Sequence, residues 1–121
     1  MKRKWMLAMV AGSLSLSTGM VLAQEDVPKI TPETIALYDK NCASCHGKDG
    51  KGETRMGRRA GVKDYTDAKV QAEMKDEQAF KSIKDGMTRD GKELMKPFND
   101  KLTDQQIKEV IAHMRSFAKK E

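Results

Sequence analysis

The sequence predicts an all-α domain, on three observations. Thr103 and Gln106 form a capping box ahead of Ile107, Val110, Ile111, Met114 and Phe117, which recur at helical spacing. Thr31-Pro32-Glu33 marks a second helix start: Thr31 is placed to cap, Pro32 sits at the first helical position, and Glu33 lies beside the positive end of the dipole. No β-branched strand pattern precedes Cys42.

The first helix runs from this start into Cys42, with Ile35, Tyr38 and Cys42 on one stripe and Leu37 alongside. Residues 47–65 read as a long connection. Gly47, Gly50, Gly52, Gly57 and Gly61 break any regular pattern, and Lys48, Lys51, Arg55, Arg58, Arg59 and Lys63 make it basic. A loop this long is expected to wrap around something. Thr66 or Asp67 can cap a short helix to about Met74, and Asp76 can cap another that runs to Gly86 with Phe80 and Ile83 facing inward. Met87 to Lys96 reads as irregular and leads into Pro97-Phe98. Lys119 and Lys120 lie at the negative end of the last helix.

The N-terminus reads as a leader. Lys2, Arg3 and Lys4 precede an apolar, small-residue stretch from Trp5 to Leu22, and Val21-Leu22-Ala23 fits a cleavage site. Cleavage after Ala23 makes residues 1–23 a signal peptide and residues 24–121 the domain; an uncleaved membrane anchor is the competing reading, diluted by Ser13, Ser15, Ser17 and Thr18. Removal takes three basic residues and no acidic ones, so the formal net charge falls from +5 to +2, and nucleic-acid binding loses its electrostatic support. The only Trp, Trp5, leaves with the leader. A domain this small and this charged has few large side chains for a core, so a bound apolar group is expected to complete it.

Cys42-Ala43-Ser44-Cys45-His46 says which group. Two cysteines three apart followed by histidine is the attachment pattern of c-type haem. Residues i, i+3 and i+4 share a helix face, so both sulfurs can bond one porphyrin edge while His46 reaches the iron. Small Ala43 and Ser44 keep that edge clear, and Gly47 lets the chain leave the helix. A dithiol redox pair, a disulfide or half a zinc site are the alternatives, but the only other histidine is His113 and there is no further cysteine. Such attachment is made outside the cytoplasm in bacteria, which agrees with the leader and places the protein in the periplasm. A backbone carbonyl from residues 47–65 is expected to accept the Nδ1 hydrogen of His46. The apoprotein is expected to be largely unfolded.

The iron's second axial position decides the chemistry. Beyond the leader the methionines are Met56, Met74, Met87, Met95 and Met114. Met114 falls on the apolar stripe of the last helix and Met74 at the end of a short one, which makes packing their first reading. Met87 and Met95 lie in the late irregular segment. Met95 is favoured because Pro97 stiffens the chain beside it and Phe98 can anchor it. His113 is an alternative nitrogen ligand, but it projects from a regular helix beside Val110 and Phe117, where packing against another helix is the favoured role.

With its CASCH motif, a late Met-Lys-Pro-Phe and a capped C-terminal helix, the chain resembles a class I cytochrome c of the small bacterial monohaem type, from about Thr31 to Phe117. The resemblance implies a cytochrome c fold in which N- and C-terminal helices cross, with short helices and loops around one haem. It implies thioether attachment through Cys42 and Cys45, iron ligation by His46 and Met95, and one-electron shuttling between redox donors and acceptors by a monomer without stable membrane insertion. The chain departs from the family's habits at three places. Thr34 stands where glycine is common, His113 where an aromatic is common, and no proline follows the attachment motif.

Two other functions compete with the shuttle. A permanently docked haem subunit of a periplasmic dehydrogenase or oxidase would use the same site. A gas-binding or peroxidase-like protein would need an open sixth position, and no second catalytic histidine lies on an irregular segment.

Overall fold

The computed structural model describes Gly19 and residues 27–119. Apart from Gly19, the expected leader and its boundary at Ala23 lie outside the described residues. Eight elements follow in order: α1 (Pro32–Asn41), α2 (Ala43–His46), α3 (Arg55–Ala60), α4 (Ala68–Glu73), α5 (Asp76–Asp85), β1 (Met87–Arg89), β2 (Lys92–Met95) and α6 (Asp104–Ser116). The last helix packs on both α1 and α5, and α2 packs on α3. No helix among the described residues is long and apolar enough to cross a membrane.

Both helix starts that the sequence marks most clearly carry full capping boxes. Thr103 accepts from the Gln106 amide at 3.1 Å while Gln106 accepts from the Thr103 amide at 2.9 Å. At α1 the reciprocal partner of Thr31 is Thr34. Thr34 is fully buried, and its hydroxyl accepts from the Thr31 amide at 3.1 Å, so this buried polar group is satisfied locally. Ile35, expected on the inner stripe, is instead 41% exposed; Thr34 and Tyr38, four residues apart, form the buried line.

The core joins Tyr38 and Cys42 to Ile83, Phe98, Leu102, Ile107, Val110, Ile111 and Met114. His113 packs edge-on against Tyr38 at 4.9 Å and against Phe117 at 4.8 Å, so it belongs to the contact between the first and last helices, as its sequence position suggests. The far end of α6 is tied down by Arg115, whose guanidinium pairs with Asp76 at 2.7 Å and donates to the carbonyls of Gln71 and Met74. Asp67 caps α4 by accepting from the amides of Lys69 and Val70. Asp76 does not cap α5. Lys75 holds the N-cap without a side-chain bond, and the Asp76 carboxylate faces Arg115.

Two further expectations need correction. The chain is mostly helical, but residues 87–95, expected to be irregular, form a small antiparallel hairpin, with Met87 opposite Met95 and an irregularity between Met87 and Thr88. Its turn is Asp90-Gly91, both at positive φ (51° and 72°), the geometry that matches the twist of paired strands. Residues 47–65, expected to be one long connection, contain α3. Thr54 caps it by accepting from the Gly57 amide at 2.8 Å, and Gly61 ends it in the left-handed region.

Candidate functional site

Cys42, Cys45, His46 and Met95 line one cavity of about 530 Å³. The four residues picked from the sequence are therefore brought together. Cys42 ends α1 and begins α2, so the first helix delivers the motif directly to the cavity wall. The exit is fixed by hydrogen bonds: the Tyr38 hydroxyl donates to the Gly47 carbonyl at 2.8 Å, and the Gly52 amide donates to the His46 carbonyl at 2.8 Å. Thr54 donates to the Cys45 carbonyl at 2.7 Å, which ties α3 to the motif.

The hairpin and the segment after it supply further wall. Met87, Met95 and Phe98 all border the cavity, and the Phe98 amide donates to the Ile83 carbonyl at 3.0 Å, anchoring the strand exit onto α5. Met56, Met74 and Met114 line the same space, so every methionine among the described residues reaches it. Thioethers suit such a wall because they are apolar, polarizable and adaptable in shape. His113 does not line the cavity.

Electrostatics favour a neutral imidazole at His46 and a protonated thiol at Cys42. Burial lowers the His46 pKa, which keeps the imidazole neutral and its lone pair available. Burial, reinforced by Cys45, pushes the Cys42 thiol up to about 12, opposite to the depressed value on which a redox dithiol depends. The expected carbonyl partner of His46 does not materialise: Nδ1 is buried, and among the described residues nothing bonds to it. The imidazole ring is instead stacked on Tyr65, with centroids 5.5 Å apart and planes 30° from parallel. Tyr65 has no signal in the sequence beyond being an aromatic at the end of the loop.

A haem fits these residues. A single apolar cavity presents two thiols at the attachment spacing, a neutral buried imidazole and several thioethers.

The family model described as cytochrome c oxidase, cbb3-type, subunit III matches residues 32–114. Among solved structures, "KustC0563 c-type cytochrome" is 35% identical with a TM-score of 0.64, over 71% of this chain and 98% of that one. A tyrosine-to-phenylalanine point mutant of Kustc0563 is 33% identical with a TM-score of 0.62, over 69% of this chain and 96% of that one. No curated protein matches. Together with the cavity and its CASCH wall, these similarities make the chain a member of the c-type cytochrome family, a small monohaem protein in which one haem c is covalently bound.

Proposed function

We propose that this protein carries single electrons in the periplasm, using a haem c attached through Cys42 and Cys45 and ligated by His46 and Met95. What supports this reading most is that the thiols, the imidazole and the Met95 thioether border one cavity. When bound, the haem supplies a one-electron iron couple, and a thioether ligand favours the reduced state and raises the potential. The chain's task is to hold both ligands still. Tyr38, Thr54 and Gly52 fix the attachment helix and its exit through hydrogen bonds of 2.7 to 2.8 Å. On the other side Gly86, Pro97 and Phe98 hold the Met95 segment.

The partner is an acidic redox protein. Arg55, Arg58 and Arg59 on α3, with Lys63 after it, form a basic run, and no ion pair occupies them among the described residues. Lys63 and Met56 border the cavity, so docking on this side brings a partner near the haem site.

Carbon monoxide added to the reduced, haem-loaded protein tests the closed sixth position. Slow or negligible binding is expected, and rapid binding would mean an open iron suited to gas binding or peroxide chemistry. The description of the matching family favours a second reading, a haem subunit of a terminal oxidase. Elution as a monomer at native concentration, with reduction by several unrelated donors, distinguishes the shuttle from that subunit.

A further inference from the structure

His46 and Tyr65 form an unusual support for a metal ligand. A ligating imidazole ordinarily takes its rotation and its basicity from an acceptor on the other ring nitrogen. Here Nδ1 is buried, and nothing among the described residues bonds to it. The Gly52 amide holds the backbone carbonyl of His46, but this leaves the rotation of the ring to whatever packs against its face.

Tyr65 packs there, and its own placement is rigid. Its amide donates to the Gly50 carbonyl at 2.8 Å, and its carbonyl accepts from Gln71 Nε2 at 2.7 Å. The same Gln71 amide group donates to the Met114 carbonyl at 3.0 Å, and Arg115 donates to the Gln71 backbone carbonyl. The Tyr65 backbone is thereby tied through α4 to α6. With centroids 5.5 Å apart and planes at 30°, the two rings are in the range of offset stacking.

We propose that Tyr65 is the positioning residue for His46, fixing the imidazole's rotation by stacking in place of a hydrogen bond at Nδ1. The inference rests on His46 being the iron ligand. Its consequence is electronic as well as geometric. An imidazole without an acceptor at Nδ1 is the weaker donor, so the iron is less stabilised in its oxidised state than it would be opposite a carbonyl-bonded ring.

The test uses the full chain matured with haem in a periplasm, as parent, Tyr65→Phe and Tyr65→Leu. Ferric electron paramagnetic resonance, the His46 ring-proton NMR signals and the midpoint potential are the readouts. Tyr65→Phe keeps the stack and is expected to overlay the parent. Tyr65→Leu is expected to shift the g-values, the His46 signals and the potential while retaining the iron–sulfur absorption band. A Tyr65→Leu protein indistinguishable from the parent would overturn the inference. So would a parent Nδ1 proton shifted strongly downfield by a hydrogen bond, a measurement that needs no variant to mature. Absence of the iron–sulfur band in the parent would instead defeat the proposed ligation by Met95, leaving the His46 signals to decide the stacking role.

Discussion

Gly86 and Met95 approach so closely that no side chain fits between them: a Cβ on Gly86 would lie 2.7 Å from the Met95 carbonyl oxygen and 2.9 Å from the Pro97 nitrogen. Gly86 also has φ of 77°, a conformation that disfavours any residue with a Cβ. Gly86→Ala is therefore expected to cost about 2 kcal/mol or more and to displace the Met95 segment. Thermal melting of the haem-loaded protein checks the stability, and a weakened iron–sulfur band checks the displacement.

Tyr38→Phe removes the buried hydroxyl that donates to the Gly47 carbonyl. That carbonyl retains the Gly50 amide at 3.1 Å, so the expected loss is only about 1 kcal/mol, or about 4–8 °C in melting temperature. The reduction potential should hardly move, because neither iron ligand changes its contacts.

Stability should fall on the acid side through His113. Burial lowers its pKa in the folded protein from 6.5, with Asp39 pulling partly in the other direction. The unfolded chain then binds more protons, so stability is full above about pH 6.5 and is lost as pH falls towards the folded value. His113→Phe keeps an aromatic against Tyr38 and Phe117 and should flatten this limb. Melting temperatures at about pH 5 and pH 7.5 test it; an unchanged slope would contradict the assignment.

Haem removal should abolish cooperative folding. Cys42, Ile83, Phe98 and Met114 belong both to the core and to the cavity wall. Loss of the haem therefore strips apolar contacts from the core itself, in a domain too small to spare them. Circular dichroism of a Cys42→Ser, Cys45→Ser chain made without haem should show little helix and no sharp melt.

Much of this architecture is legible in the sequence because it rests on local chemistry. Thr31, Asp67 and Thr103 cap where their side chains dictate, and CASCH names its own site. The hairpin at residues 87–95 escapes such a reading, since its strands are largely exposed and carry no apolar alternation; Asp90-Gly91 is the available signal. Gly57 hides α3, although glycine is required there because a Cβ would collide with the Cys45 carbonyl. The stack of Tyr65 on His46 joins residues apart in sequence and leaves no periodic trace.

The most direct test of the central claim is the optical spectrum of the oxidised, haem-loaded protein in the region of the weak red band of sulfur-ligated ferric haem. The account predicts the band in the parent and in Met87→Ala, and its loss in Met95→Ala. A high-spin parent without the band, or loss in Met87→Ala with retention in Met95→Ala, would contradict His46/Met95 ligation.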